Sequence, residues 1–201
     1  MGLVDYRKKR SFAKTPEPNG GSSDDSEALE FVVQKHAASH LHYDFRLEVG
    51  GVLKSWAVPK GPSMNHAVKR LAMMVEDHPY DYRTFEGVIP DGNYGAGSVI
   101  VWDKGTYRPL ETQGESKKEQ EKSLLKDLKK GRLSFTLDGK KLRGEFSLVH
   151  IKGKQENAWL LIKKEDKYSS EDDITKKARS VLSKKTVEGI GKKTKRTGKK
   201  K

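Results

Sequence analysis

The sequence has no cysteine among its 201 residues, which excludes disulfide bonds, thiol catalysis and metal sites with cysteine ligands. Long apolar runs are also missing, and none approaches the roughly 20 residues that a transmembrane helix needs. The N-terminus is polar and lacks the apolar core of a signal peptide. These absences predict a cytoplasmic protein with no membrane partner.

Hydrophobic residues are scarce, at 33% of the sequence against 34% for charged residues, so part of the chain should stay outside a core. We expect residues 1–30 to form an N-terminal arm, because Pro, Gly, Ser and Asp are frequent in it. Residues 31–163 should form one domain. Residues 164–201 should form a basic C-terminal extension that is largely mobile.

Positive charge is concentrated at the C-terminus. Residues 184–201 carry nine Lys or Arg and one Glu, so they hold a net +8 of the +13 for the whole chain. Such a segment attracts polyanions through counterion release but has no means of reading a base sequence. The alternative is a solvated tail with no dedicated role.

The apolar pattern favours strands. Residues 43–49 alternate apolar and polar side chains with the period of a half-buried strand, Gly50-Gly51 is a turn signal, and residues 52–58 can form the partner strand. Further strands are predicted at residues 31–35, 71–75, 98–102, 133–137, 144–151 and 158–163. One helix is predicted at residues 116–130, with Ser116 as its cap and Gly131 as its stop. The fold class predicted is mainly β: a single-domain β-barrel or strongly curved antiparallel sheet with one longer peripheral helix.

Five of the six histidines lie within residues 31–110. Because side chains alternate along a strand, His42 and Asp44 project from the same face, and His36 can join them from the end of the preceding strand. Two imidazoles and one carboxylate suit Mn²⁺, Zn²⁺, Fe²⁺ or Co²⁺ and leave coordination positions open for water or substrate. The alternative is a hydrogen-bonded polar face without a metal.

Arginine and lysine residues near this group suggest a phosphate site. Arg46 follows Asp44 on the same strand face, where a guanidinium can hold a phosphate oxygen beside a metal. Lys60 and Arg70 are further basic candidates, although either can equally be an ordinary surface residue. Residues 91–98, DGNYGAGS, lack the lysine and the spacing of a P-loop, so we expect a tight turn before a buried strand.

Two segments carry a family resemblance: FVVQKHAASHLHYDFRLEVGGVLKSWAVPKGPS and KRLAMMVEDHPYDYRTFEGVIPDGNYGAGSVIVWDKG. They resemble the 3′-phosphoesterase domain of bacterial DNA ligase D, the repair ligase of non-homologous end joining. The resemblance implies a barrel fold and a manganese-dependent enzyme, with Zn²⁺ or Co²⁺ as other possible metals. It also implies removal of a 3′-terminal ribonucleoside and then of the 3′-phosphate, which leaves a 3′-OH.

The resemblance also assigns roles to residues. The metal ligands of the family match His36, His42 and Asp44. The family's phosphate contacts match Arg46 and His78, with Lys60 and Arg70 as additional candidates, and its other activity residues match Glu76, Tyr82 and Glu17. Residues 10–18, RSFAKTPEP, match a motif of the family, which implies that the arm of residues 1–30 partly packs on the active site. In this motif Ser11 stands where the family has an acidic residue, which bears on the phosphodiesterase step.

The mechanism expected from these residues is attack on a phosphoester by water, with His78 contacting the phosphoryl group or protonating the leaving oxygen. A phosphohistidine at His78 is the alternative. The partners implied are DNA or RNA/DNA 3′ ends, together with a separate end-joining ligase and polymerase. Two other classes compete: a non-catalytic basic β-domain that binds DNA ends, and a two-histidine, one-carboxylate iron oxygenase.

Overall fold

A computed structural model describes residues 3–21, 26–112, 114–153 and 155–190. Nine strands and two α-helices make up this part of the chain. The strands are β1 (Leu29–Ala37), β2 (Leu41–Val49), β3 (Val52–Val58), β4 (Lys69–Pro79), β5 (Gly87–Ile89), β6 (Gly97–Pro109), β7 (Arg132–Gly139), β8 (Arg143–His150) and β9 (Ala158–Lys163). The helices are α1 (Val4–Lys8) and α2 (Lys117–Lys130), and a 3₁₀ turn occupies Tyr80–Thr84.

Eight of these strands close into an antiparallel barrel. The neighbours run in the order β1-β2-β3-β4-β9-β8-β7-β6, and pairing of β6 with β1 completes the circle, while β5 pairs with β6 outside it. Closure leaves the eight strands without free edges, which removes the usual route to edge-to-edge association. The predicted fold class is therefore confirmed.

The barrel interior is filled by one cluster that takes side chains from all eight strands. Its largest fully buried members include Trp56, Trp102, Phe45, Phe135 and Phe146. In β2 the interior residues have odd numbers, as the alternating pattern predicted. Because large aromatic groups fill the lumen, the polar face of β2 must lie outside the barrel.

A second, smaller cluster covers part of that outer face. Val32, Leu53 and Val101 project outward from β1, β3 and β6, and they pack against Tyr6 of the arm and Tyr82 of the 3₁₀ turn. As a result β2 is buried on both faces over most of its length. The prediction of a half-buried strand is wrong for this reason: the outer face is polar but covered.

The best-defined local predictions are confirmed. Gly50 and Gly51 join β2 to β3 with φ of 61° and 77°, the left-handed conformation that a tight hairpin turn needs. Helix α2 begins after Ser116, which forms a capping box with Glu119, and it ends at Gly131 with φ of 81°.

Strand β4 differs most from the prediction. It runs on through Glu76 and His78 to Pro79, so these residues belong to a strand and not to a loop. Leu53 pairs with His78 and Ser55 with Val75, which leaves one extra residue on β4 and marks a β-bulge. Strand β7 also extends further than predicted, to Gly139, so the turn to β8 occupies residues 140–142.

The described part of the C-terminal extension, residues 164–190, lies against the barrel. Trp102 Nε1 donates to the Lys177 carbonyl, Val181 N donates to the Val101 carbonyl, and Ile174 and Val187 are buried. The structure therefore gives this stretch a packed position where the sequence predicted a largely mobile segment. The rest of that predicted segment, residues 191–201, lies outside the described residues. Neither α-helix has the length and apolar character that crossing a membrane would require.

Candidate active site

The candidate site lies on the outer face of β1 and β2, under the arm and the loop between β5 and β6. A cavity of about 260 Å³ opens there. The predicted site residues that line it are His36, His42, Asp44, Arg46, Glu76, His78 and Tyr82. Arg10 and Tyr94 line it as well, although neither was among the predicted site residues.

His36, His42 and Asp44 come together because β1 and β2 pair with His36 opposite His42. His36 Nδ1 lies 3.6 Å from Asp44 Oδ2, and His42 Nε2 lies 3.6 Å from Asp44 Oδ1. The potential ligand atoms of all three residues lie within 4.8 Å of one another. The strand-face argument from the sequence therefore placed these three side chains correctly relative to one another.

Backbone carbonyls fix how the two imidazoles are oriented. His36 Nε2 donates to the Gly95 carbonyl and His42 Nδ1 donates to the His40 carbonyl, each over 2.9 Å. A carbonyl oxygen only accepts, so in the neutral imidazoles the lone pairs lie on His36 Nδ1 and His42 Nε2. These are the two nitrogens that face Asp44, which is the arrangement typical of histidine ligands held by outer partners.

This donor set fits a divalent cation. The lone pairs of the two neutral imidazoles and the Asp44 carboxylate converge, and no hydrogen lies between them. Metal–ligand bonds of about 2.0–2.2 Å place ligand atoms roughly 3–4 Å apart. The observed separations of 3.6 Å agree with that spacing. Burial alone would raise the pKa of Asp44, but neighbouring positive charge, that of Arg46 first, outweighs it and holds that pKa well below its ordinary value.

Arg46 is held rigidly beside this group. Its Nε donates to Gln34 Oε1 over 2.9 Å, and its two Nη atoms donate to Ser55 Oγ over 2.8 Å and to Asp44 Oδ2 over 3.0 Å. Gln34 is itself fixed, because its amide donates to the carbonyls of Tyr82 and Phe85. The described partners use three of the five guanidinium hydrogens, so two remain for an anionic ligand.

His78 lies across the cavity as a neutral imidazole. Its Nδ1 donates to the Glu76 carbonyl over 2.9 Å, and its Nε2 accepts from Arg10 Nη2 over 3.2 Å. Burial and the charges of Arg46 and Arg10 hold the pKa of His78 well below its ordinary value. At neutral pH the imidazole therefore carries a lone pair on Nε2, and its predicted role as a proton donor stays a prediction.

The arm reaches the site through Arg10 and Glu17. Arg10 Nε donates to Glu17 Oε1 over 2.8 Å, and Arg10 Nη1 lies 3.1 Å from Glu76 Oε1. Tyr82 OH donates to Glu17 Oε1 over 2.9 Å, and burial followed by the Glu17 charge raises the pKa of Tyr82 well above its ordinary value. The predicted residues Glu17, Glu76 and Tyr82 thus form one buried network, with Arg10 at its centre.

Three predicted or related positions lie elsewhere. Lys60 is exposed in the turn after β3, and it does not line the cavity. Arg70 is two residues before the buried Ala72, so both project from the interior side of β4. The β-bulge farther along the strand then turns His78 to the outer face. Ser11, which stands where the family has an acid, is exposed. Lys60 and Arg70 therefore do not belong to the cavity lining that brings the other predicted residues together.

Comparison with known proteins agrees with this geometry. The family model described as the DNA Ligase D 3′-phosphoesterase domain matches residues 34–150. The multifunctional non-homologous end joining protein LigD of Pseudomonas aeruginosa is 49% identical over 193 residues, which is 92% of this chain and 22% of that protein. The corresponding DNA repair protein of Mycobacterium tuberculosis is 42% identical over 159 residues, 79% of this chain and 19% of its own length.

The Mycolicibacterium smegmatis protein of the same name is 41% identical over 170 residues, which is 82% of this chain and 21% of that protein. The chain thus spans about a fifth of the length of these relatives. The match to the family model takes in β2, β3, β4 and the loop before β6, and so most of the cavity lining. The chain belongs to the family of the DNA ligase D 3′-phosphoesterase domain.

Proposed function

We propose that the protein is a metal-dependent phosphoesterase that heals 3′ ends of DNA or RNA/DNA strands for repair by end joining. It would remove a 3′-terminal ribonucleoside and then the 3′-phosphate, which leaves a 3′-OH. The observation that carries the proposal is the convergence of His36 Nδ1, His42 Nε2 and the Asp44 carboxylate beside Arg46. Family membership supports the same chemistry.

His36, His42 and Asp44 would hold the metal, and Mn²⁺ is proposed first, with Zn²⁺ or Co²⁺ as alternatives compatible with imidazole and carboxylate ligands. A bound divalent cation supplies a Lewis acid beside the scissile ester. Arg46 would donate its two remaining hydrogens to nonbridging phosphoryl oxygens, whose negative charge grows in the transition state.

His78 would take part as a neutral base. Because Nε2 carries a lone pair, it can accept the proton of an attacking water, provided that Arg10 turns its Nη2 hydrogen toward the phosphate. Glu76 would keep Arg10 in place, since Arg10 Nη1 lies 3.1 Å from its carboxylate. Tyr82 and Glu17 would support the same arginine from the other side.

The product is a 3′-OH end, which a polymerase can extend and a ligase can join. We therefore expect such enzymes to act after this one. The basic residues 184–201 would add sequence-independent attraction to the phosphate backbone. Ser11 is exposed in the arm at the position where the family has an acid. Because that acid is missing, we expect the phosphodiesterase activity to be weaker than the phosphomonoesterase activity.

The test is release of phosphate from a 3′-phosphorylated oligonucleotide with Mn²⁺, Zn²⁺ or Co²⁺ and with EDTA. His42→Ala should lower both metal content, by elemental analysis, and turnover. His78→Ala should keep one metal per chain and lose about 10²- to 10⁴-fold in kcat. His66→Ala is the matched control, since His66 is exposed and does not line the cavity.

Two outcomes would contradict the proposal. Binding of DNA ends that EDTA leaves unchanged, without phosphate release under any metal, would favour the non-catalytic binding domain. Loss of metal from His78→Ala as complete as from His42→Ala would make His78 a ligand and would overturn the assignment of roles.

A further inference from the structure

Tyr94 is the large aromatic side chain on the rim of the candidate site. It lies in the loop between β5 and β6, lines the cavity and is 49% exposed. A tyrosine normally buries most of its ring area, because that area is the main favourable term it brings to folding. About half of this residue's surface is exposed beside a polar cavity, so Tyr94 is accessible to a ligand that enters there.

The loop holds this ring in a fixed place relative to the metal ligands. Asn93 N donates to the Pro90 carbonyl and Ala96 N donates to the Asn93 carbonyl, which makes two consecutive turns around Tyr94. The next residue, Gly95, accepts the hydrogen bond from His36 Nε2 over 2.9 Å. The ring and the metal ligand are therefore connected through a single residue of backbone.

Two cations lie against the same ring. Lys9 Nζ is 4.8 Å and Arg10 Cζ is 5.5 Å from the Tyr94 centroid. Lys9 Nζ is also 3.0 Å from Glu76 Oε2, so it bridges the rim of the cavity. An aromatic face with adjacent positive charge is the combination that binds single-stranded nucleic acid, since the ring stacks on a base while the cations attract phosphate.

The size of the cavity indicates which part of a substrate would meet the ring. At about 260 Å³, the cavity is smaller than the roughly 300–1,000 Å³ of pockets that enclose a drug-sized ligand. A nucleoside 3′-phosphate is of that ligand size, so the cavity can take the phosphate and the sugar while the base remains at the rim. The rim is where Tyr94 lies.

We propose that Tyr94, with Lys9 beside it, forms a stacking subsite for the nucleobase of the 3′-terminal nucleotide. This inference rests on the proposed function, because it assumes that the 3′ end enters the cavity. Stacking uses the π face that every base has, so the subsite holds the end in place without selecting among the four bases.

The experiment compares two single-stranded 3′-phosphate substrates that differ only at the last nucleotide: one carries a base and the other a tetrahydrofuran abasic sugar. For the substrate with a base, Tyr94→Ala should raise KM by roughly 5- to 150-fold, the equivalent of 1–3 kcal/mol of stacking. Tyr94→Phe should restore the KM, and kcat should stay unchanged in both variants. For the abasic substrate, wild type and Tyr94→Ala should have the same KM.

Tyr168→Ala is the matched control. Tyr168 is 36% exposed and has Arg143 and Lys167 each 5.3 Å from its centroid, yet it does not line the cavity. This variant should leave both substrates unaffected. Equal KM changes on the two substrates in Tyr94→Ala, or no change on either, would overturn the stacking subsite.

A binding measurement separates failure of this inference from failure of the proposed function. A single-stranded oligonucleotide with 2-aminopurine as its last base should lose fluorescence on binding wild type and Tyr94→Phe, but not on binding Tyr94→Ala. If no metal supports phosphate release, the proposed function fails while this readout still decides the subsite. Equal quenching by wild type and Tyr94→Ala would overturn it.

Discussion

Glu17→Gln tests whether the arm is held on the barrel by a buried charge network. The Glu17 carboxylate is fully buried and accepts hydrogen bonds from Arg10 Nε, Tyr82 OH and Thr15 Oγ1 over 2.8, 2.9 and 2.8 Å. Glutamine has the same shape but no charge, and its NH₂ group, placed at the Oε2 position, donates to Thr15 Oγ1 where the carboxylate accepted. The substitution therefore changes the strength of these contacts without opening a cavity.

The size of the effect follows from those bonds. A hydrogen bond to a charged group contributes about 1.5–3 kcal/mol and a neutral one about 0.5–1.5, so each bond should lose about 1 kcal/mol. Breaking a buried ion pair outright costs about 3–5 kcal/mol, but Arg10 keeps its contact with Glu76. Arg10 and Thr15 belong to the arm itself, so their bonds to Glu17 break only when the arm unfolds as it leaves the barrel. For that opening we expect a loss of about 2–3 kcal/mol, which raises the open population of the arm by roughly 30- to 150-fold.

Hydrogen exchange followed by mass spectrometry measures this opening. In Glu17→Gln, peptides from residues 3–21 should exchange roughly 30- to 150-fold faster, while peptides from β7 and β8 serve as the internal control and should not change. Glu171→Gln, at an exposed carboxylate, is the matched control. Unchanged exchange in the arm would refute the idea that charge holds it, and equal acceleration in the barrel would refute separate opening.

Two further predictions concern stability. Because the pKa of His78 is depressed in the folded protein, only the unfolded chain binds this proton below about pH 6.5. The free energy of unfolding should therefore fall by up to about 1.4 kcal/mol per pH unit as the pH drops from 6.5. His78→Gln should flatten this slope in urea titrations. Gly131→Ala should cost about 1–2 kcal/mol in urea unfolding, because its φ of 81° is left-handed and a Cβ would lie 2.9 Å from His150 Cβ. Gly50→Ala, with φ of 61° and open space around it, should show only the backbone part of that cost, and equal costs for the two would contradict the clash.

The sequence predicts those parts of the protein that local patterns determine. Alternation along β2 puts His42, Asp44 and Arg46 on one face whatever the rest of the chain does, because successive side chains point to opposite sides of a strand. The short bend before β2 then returns the chain so that His36 pairs with His42. One hairpin therefore determines how His36, His42, Asp44 and Arg46 lie relative to one another.

The segments that lie over that hairpin, the arm and the 3₁₀ turn, cannot be predicted in the same way. An alternating strand looks the same in sequence whether its polar face meets water or a buried network. Arg10 reaches Glu76 and His78 across 66 and 68 residues, from a segment with no periodic apolar pattern. Nothing in the local sequence showed that the guanidinium of Arg10 would lie in the cavity.

Strand β4 shows how one residue can mislead a prediction. Arg70 and His78 are eight residues apart, so unbroken alternation would put both on the same face. The extra residue between Val75 and His78 reverses the alternation, and the guanidinium of Arg70 is left on the side of Ala72. Bulges have no strong signature in a single sequence, so the phosphate site predicted there included one arginine too many.

The position of the site outside the barrel explains why the arm matters for its chemistry. Aromatic side chains fill the lumen, so the barrel alone would present His36, His42 and Asp44 on a surface open to water. Burial is the first cause of the depressed pKa of His78, and the charges of Arg46 and Arg10 come next. Segments that lie over the barrel bury His78, and one of them, the arm, contributes Arg10. Removing the arm would leave His36, His42 and Asp44 where they are, yet it would let water and protons reach His78. The barrel therefore places the proposed ligands, and the docked arm keeps the imidazole of His78 neutral.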